Sequence, residues 1–289
     1  MQIVTDSGTD VSFTPEQLKQ YRVHVVPLTV TLGEKSYREG IDIEPDAFYQ
    51  LLDETGMLPL TSQPAVGEFA ALYRQLAQSD PEILSIHISS GLSGTADSAR
   101  AAAAMVPEAN VTVVDTKTLS VPSGWQVEAA ARAAAAGWSR EKILEMVARI
   151  GGATDVLYTL KELKYLIHGG RISHISGLVA SLLNIKPIIG VDKQNGKYYQ
   201  VGKFISINRA LQGMLNQIEQ WYGAKTRLRV QLLHGNNLEA VEQLRQKLSA
   251  AFDCVFDPVL PIAPVLGAHT GPTMVGLSVG PAALFSELP

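Results

Sequence analysis

Ser89-Ser90-Gly91-Leu92-Ser93-Gly94-Thr95 joins a short apolar run to an alanine-rich helical pattern. A strand feeding a Gly/Ser-rich turn and then a helix aims free backbone N–H groups at whatever sits above the strand end, where the helix dipole favours negative charge. Ser90, Ser93 and Thr95 add hydroxyl donors, so the segment can hold a carboxylate or phosphate without any cation. A serine-capped helix start with glycines for turn geometry uses the same residues. Two sharper readings fail. A nucleophile elbow needs Gly-x-Ser-x-Gly, and Thr95 stands where the second glycine belongs. A phosphate loop needs lysine at the helix start, and none is present. Thr61-Ser62-Gln63-Pro64 precedes another helical pattern; its hydroxyls either cap that helix or turn one oxygen toward a cleft. Asp6-Ser7-Gly8-Thr9-Asp10 closes the first apolar run, and an Asx-turn accounts for it better than a metal site, which would need further ligands at defined spacing. Of six histidines, His269 stands out in Leu266-Gly267-Ala268-His269-Thr270-Gly271-Pro272. Its small neighbours leave the imidazole room, and a histidine in a glycine-bounded loop can donate to an anion. His234-Gly235-Asn236-Asn237 reads as a turn and helix cap. Arg171, between His168 and His174 in Gly169-Gly170-Arg171-Ile172-Ser173, clamps an anion or fixes its loop, and the structural role is preferred. The sequence assembles no Ser–His–acid triad.

These residues need elements to position them, and the chain supplies an α/β alternation. It has 289 residues, of which 46% are hydrophobic and 18% charged, enough for a full core and unlike a disordered chain. Lys and Arg number 24 against 28 Asp and Glu, a net charge of -4 with no basic run, so the electrostatic footprint for nucleic acid is missing. Cys254 is the single cysteine; it forms no internal disulfide, supplies no zinc site alone, and reads as a small buried hydrophobe. Ile175 to Val191 is the most apolar long stretch, but Ser181, Asn184, Lys186 and Pro187 interrupt it, too often for a membrane span. The amino terminus lacks a signal-peptide pattern, and a soluble cytoplasmic protein is expected.

Strands are expected at Ile3-Val4, Val23 to Leu32 (an edge or bulged strand because of Pro27), Ile83 to Ile88, Val111 to Val114, Val156 to Tyr158, Ile188 to Val191, Leu228 to Leu233 and Val255 to Ile262. Helices open at Thr14-Pro15-Glu16-Gln17 and at the capping box Thr159-Leu160-Lys161-Glu162, and further helices cover 45–53, 66–77, 96–105, 124–136, 139–150, 207–221 and 238–252. The fold class is α/β, with two lobes of largely parallel sheet. A boundary near 150–155 divides them into 1–152 and 153–289, with any ligand between the lobes.

Five motifs, Thr5-Asp6-Ser7, Thr61-Ser62-Gln63-Pro64, Ser89 to Thr95, Gly169-Gly170-Arg171-Ile172 and Gly267 to Pro272, occur in the order seen in DegV-family proteins. Each alone is weak, and five in register are specific. The resemblance runs from Ile3 to about Val279. It implies a DegV-like two-domain α/β protein that binds one long-chain fatty acid without catalysing a reaction and without cofactor or metal. Such proteins resemble the FakB subunits of bacterial fatty-acid kinase, which present the carboxylate to a separate ATP-binding kinase subunit that makes an acyl phosphate for phospholipid synthesis. Carried over by motif, Thr61 and Ser93 hydrogen-bond the carboxylate, the Gly94 N–H lies close by, and His269 completes the polar end. Ser62 is a further ligand-binding candidate, with Arg171 and Thr95 secondary. Ile175 to Ile185 is a candidate lining for the acyl chain, or ordinary core. One position departs from the family pattern: Ile205 precedes Ala210-Leu211 where members often carry an arginine, leaving Lys203 or Arg209 as the nearby cations for kinase docking. Two rival readings are a serine esterase or thioesterase using Ser93 and His269, and a binder of a small anionic metabolite.

Overall fold

The computed structural model describes residues 1–175 and 185–289. In the first half the strands are β1 (Gln2–Asp6), β2 (Val23–Val26), β3 (Thr29–Leu32), β4 (Lys35–Arg38), β5 (Leu60–Ser62), β6 (Glu82–His87) and β7 (Asn110–Asp115). The helices there are α1 (Pro15–Gln20), α2 (Pro45–Thr55), α3 (Val66–Ala77), α4 (Thr95–Ala104), α5 (Ser120–Ala135) and α6 (Arg140–Ala153). The helix starts follow their local chemistry. At α1 the Thr14 hydroxyl accepts from the Gln17 N–H, the Gln17 side chain accepts from the Thr14 N–H, and Pro15 takes the first helical position. At α6 Ser139 caps Lys142.

A four-stranded sheet, order β2-β1-β6-β7, is parallel throughout. Both of its faces are covered: Phe69, Tyr73, Ala99 and Ala102 of α3 and α4 pack on one, and Val127, Ala130, Ile143 and Val147 of α5 and α6 on the other. Burial on both faces explains why Ile3-Val4 of β1 and Ile83-Leu84 of β6 are consecutive apolar residues rather than alternating ones. The chain leaves β1 toward one edge and β6 toward the other, so the carboxyl ends of these two neighbours form the topological switch point, where ligands of open α/β sheets sit.

The second half contains β8 (Asp155–Thr159), α7 (Lys164–His168), β9 (Lys186–Val191), β10 (Tyr198–Phe204), α8 (Ile207–Tyr222), β11 (Leu228–His234), α9 (Leu238–Ala251), β12 (Cys254–Phe256), β13 (Leu260–Pro261), α10 (Pro264–Thr270), β14 (Val275–Pro281) and α11 (Ala282–Phe285). Its sheet runs β10-β9-β8-β14-β11-β12, with β13 also on β11. The expectation of parallel pairing fails here: the four pairs from β10 to β11 are antiparallel, and only β12 and β13 join β11 in parallel. A tight turn joins β9 to β10, which parallel neighbours cannot use, and β14 enters in reverse between β8 and β11. Helices α8 and α9 cover one face through Leu211, Met214, Ile218, Leu244 and Leu248. The other face contributes Tyr158, Ile189, Tyr198 and Leu233 to a core cluster shared with Leu28, Phe48, Ile88, Leu119 and Trp125 of the first half.

Several local expectations are corrected. The run from Val23 to Leu32 is two strands, split at Pro27-Leu28; β2 lies at the edge of the parallel sheet, and β3 belongs to a small antiparallel sheet, β4-β3-β5. Pro27 has no N–H to give a ladder, and the Leu28 N–H donates instead to Ser7 Oγ at 3.0 Å. Val255 to Ile262 likewise divides into β12 and β13 on either side of Pro258. Thr159 is the last residue of β8 and caps no helix; α7 begins only at Lys164. Gly151-Gly152 lie inside α6. Helix α5 starts at Ser120, ahead of Gly124. Cys254 is half-buried, and burial pushes its thiol up to about 11. The proposed acyl-lining segment falls, at 176–184, outside the described residues. Among the described residues no helix is long and apolar enough to cross a membrane.

Candidate functional site

The switch point is tied together by Asp6, which ends β1. Its Oδ1 accepts from the Gly8 N–H at 3.0 Å, the expected Asx-turn, and its Oδ2 accepts from the Ile88 N–H at 3.1 Å and pairs with His87 Nδ1 at 2.9 Å. The chain continues from His87 Nε2 to Ser85 Oγ and on to the Tyr73 hydroxyl, each step 2.7 Å. Asp6 and His87 are fully buried. A buried charge is tolerable only when paired and hydrogen-bonded, and satisfying these two fixes where the loop after β6 begins.

In that loop the hydroxyls divide by role. Ser89 Oγ donates to the Gly196 carbonyl at 2.8 Å and accepts from the Gly91 N–H, while Ser90 Oγ donates to Asp115 at 2.5 Å. Both hold the turn in place. Ser93 faces a cavity; its Oγ pairs with Thr95 Oγ1 at 2.8 Å and accepts from the Thr95 N–H at 3.3 Å. Ser93 lies one residue before the N-cap of α4, accepts from the first N–H of that helix and presents an oxygen to the cavity. Thr95 is fully buried beneath it. Gly94 stands at the N-cap of α4, where an added Cβ would lie 2.0 Å from Gln63 Oε1. Gln63 in turn donates to Ser98 Oγ at 3.0 Å and lines the cavity.

Thr61 and Ser62 are on β5 and do not cap α3, whose first residue follows Ala65, with the Ala65 N–H donating to the Glu68 carboxylate at 2.8 Å. In antiparallel register Thr61 faces Val30, and its hydroxyl pairs with His269 Nε2 at 3.0 Å. His269 is in helix α10 rather than in a loop, with Gly271 (φ 74°) ending that helix. The start of α10 is held by Asp10, which accepts from the Ala263 N–H at 3.1 Å. Gly169 lies against the imidazole so closely that a Cβ there would be 2.0 Å from Nδ1.

Burial first, then the charges of Arg171 and His168, push the His269 pKa down to about 3, so the ring is neutral at physiological pH. It carries one ring hydrogen. Nδ1 is buried and has no partner among the described residues, so the tautomer with hydrogen on Nε2 places it where an acceptor exists. The Nε2–H then donates to Thr61 Oγ1, leaving the Thr61 O–H free to donate into the cavity. Arg171 donates to the Gly169 carbonyl at 2.5 Å and the Leu92 carbonyl at 3.4 Å, as loop-fixing requires, yet it also borders the cavity.

The cavity has a volume of about 310 Å³. Thr61, Ser62, Gln63, Ser93, Arg171 and His269 supply its polar groups; Leu28, Ile88, Leu92, Leu119, Val265 and Leu266 supply apolar wall, with Tyr198 between. Among the described residues no carboxylate lines it, so an anion meets donors and one cation without a competing negative charge. An open cleft of about 600 Å³ bordered by Asp155, Asp192, Lys193, Tyr199 and Trp221 is larger. It shares no residue with this cavity, and it carries the carboxylates Asp155 and Asp192, the first of which takes the Lys193 ammonium and the Tyr222 hydroxyl, so volume and chemistry point to different places and the chemistry decides. The structure thus gathers Thr61, Ser62, Ser93, Arg171 and His269 around one space and leaves Gly94 and Thr95 behind the wall. The sequence reading missed Gln63 as lining, although its motif was singled out. It also missed the apolar wall, which comes from separate segments. A serine nucleophile is not assembled: Ser93 is bonded to Thr95, and His269 to Thr61.

A family model described as an uncharacterised protein of the DegV family matches residues 1–282. A DegV domain-containing protein of Staphylococcus aureus is 35% identical over 277 residues, covering 96% of this chain and 97% of that one. A DegV-family protein of Thermus thermophilus, described by its fatty acid binding, has a structure that superposes with a TM-score of 0.84 at 31% identity, covering 97% of this chain and 99% of that one. The structure of DegV, a fatty acid binding protein from Bacillus subtilis, superposes with a TM-score of 0.86 at 29% identity, covering 97% and 98%.

Proposed function

The chain belongs to the DegV family, and on that premise we propose that it carries one long-chain fatty acid. The carboxylate is held at Thr61, Ser93 and His269, and the acyl chain runs along Leu28, Ile88, Leu119, Val265 and Leu266. The observation supporting this most is the meeting of the Thr61 and Ser93 hydroxyls with an apolar wall in one cavity. Similar proteins from Thermus and Bacillus are described as binding fatty acids. Thr61 and Ser93 O–H groups supply charge-assisted hydrogen bonds. His269 acts neutral, orienting Thr61, and the Arg171 charge nearby favours the ionised head. Ser62 lies at the exposed mouth. Gly94 leaves room for Gln63 to close the polar end, and Thr95 holds Ser93. Each buried methylene contributes ~0.8 kcal/mol, so the wall supplies most of the affinity and the head fixes direction.

The protein acts as a carrier rather than a catalyst, its two lobes, 1–152 and 153–289, enclosing the ligand. It presents the carboxylate in the cytoplasm to a separate ATP-dependent kinase subunit. Ile205, 73% exposed, replaces the family arginine on that surface, and Lys203 and Arg209 beside it supply the positive charge. Ser93→Ala tests the head-group assignment. With circular dichroism unchanged, the delipidated variant should bind oleate about 10-fold to 100-fold more weakly than wild type, the loss of a hydrogen bond to a charged group. Unchanged affinity would remove Ser93 from the site.

A further inference from the structure

The second half of the chain supplies one more polar group to the fatty-acid cavity. Successive side chains of β10 alternate between its faces: Tyr199 points outward and is 36% exposed, whereas Tyr198 turns inward, is 5% exposed and lines the cavity. Its ring meets that of Tyr158 edge-on, with centroids 5.7 Å apart. The wall needs only a ring at this position, and phenylalanine would supply one. A buried phenol hydroxyl is costly unless it finds a partner, yet the Tyr198 hydroxyl makes no well-formed hydrogen bond among the described residues. The Tyr158 hydroxyl behind it is buried in the same condition. Its influence on Tyr198 is that of a donor, which leaves the Tyr198 hydrogen for the cavity. Burial pushes the Tyr198 pKa up to about 12, so the phenol stays protonated at physiological pH. The short 3-10 turn Arg171–His174 packs on β10, and the Arg171 charge acts on both Tyr198 and His269. The phenol therefore belongs to the same end of the cavity as the Thr61–His269 pair.

We propose that Tyr198 donates a hydrogen bond to the ligand carboxylate and makes the site prefer an ionised head to a neutral one, a role that rests on the carrier reading above. Thr61 and Ser93 reach the head from the first half of the chain, and Tyr198 reaches it from the second. A carboxylate offers about four acceptor positions on its two oxygens, so a third hydroxyl adds to the first two without displacing them. A hydrogen bond to a charged acceptor is shorter and stronger than one to a neutral acceptor. The preference for an ionised head follows from that difference.

The test is isothermal titration calorimetry of the delipidated full chain with oleate and with oleyl alcohol, which keeps the acyl chain and removes the charge. Tyr198→Phe retains the ring and loses only the hydroxyl. With circular dichroism unchanged, it should weaken oleate binding about tenfold or more and oleyl alcohol binding by a smaller factor, so that the preference for oleate narrows. Should that variant fail to fold, Tyr158→Phe, which removes the donor behind Tyr198, should weaken oleate binding by a smaller factor and leave oleyl alcohol binding unchanged. Wild-type affinity for oleate in Tyr198→Phe, or an equal loss for both ligands, would reduce Tyr198 to a wall residue and overturn the proposal while leaving the carrier reading intact. A wild-type protein that binds neither ligand would remove the carrier reading, and this role with it.

Discussion

His269 shows how one side chain couples the site to stability. Its imidazole titrates near 3 in the folded chain, against an ordinary value of 6.5. Below pH 6.5 the unfolded chain takes up a proton that the folded chain refuses until about pH 3. The stability fully present above 6.5 is therefore lost as pH falls through that window, by up to about 1.4 kcal/mol for each pH unit. Asp10 works in the opposite sense: its folded pKa is raised to about 7 from 3.8, so its contribution is complete below 3.8 and lost as pH rises through 7. The measurement is thus a difference between proteins. Thermal denaturation of His269→Asn and wild type from pH 7 to 4 should converge as the pH falls, because the variant lacks the protonation penalty. Parallel curves would mean that the ring is solvated and ionises freely. At this scale His269, Thr61 and Ser93 were legible, since small residues around a histidine and hydroxyls beside a glycine turn are local patterns. The pairing of Thr61 with His269 was not, because 208 positions separate them.

Among elements, the sharpest test lies where the loop after β6 meets the turn between β9 and β10. Ser89 bonds to Gly196, and a Cβ on Gly91 would stand 2.5 Å from the Asn195 carbonyl and 2.7 Å from that of Gly196. Backbone oxygens cannot swing aside, so Gly91→Ala must separate the two loops, at a cost on the order of 1–3 kcal/mol. Because Ser93 follows in the same loop, oleate affinity should fall as well. Gly152→Ala is the control: it lies in α6 with nothing within 4 Å of an added Cβ, and should leave stability equal or raise it by about 0.5–1 kcal/mol. Equal melting temperatures for the two variants would show that the loops do not interlock. The helices α1, α3 and α6 and the strands β1, β6 and β7 were legible because caps and apolar runs are local. Strand direction in the second sheet was not. It is set by β14 entering between β8 and β11, a choice made by packing over more than a hundred residues. The double strand at Val23 to Leu32 was half legible: Pro27 signalled an interruption, but not that β3 leaves for another sheet.

For the whole molecule, the cavity exists only because segments 28, 61–63, 88–93, 119, 171, 198 and 265–269 converge. The polar members fell within recognisable motifs. The apolar members are Leu, Ile and Val in otherwise ordinary core runs, and no local pattern separates a wall of a ligand cavity from a wall of the core. The parallel sheet locates the site once its strand order is known, and the second sheet supplies the opposite wall through Tyr198. The central claim is that this convergence encloses a single acyl chain with its carboxylate at the hydroxyl end. Native mass spectrometry of the purified protein, followed by organic extraction and identification of what is released, tests it most directly. One fatty acid per chain, absent after extraction and regained on adding oleate, is the predicted result. A protein that arrives empty and takes up no added fatty acid would contradict it.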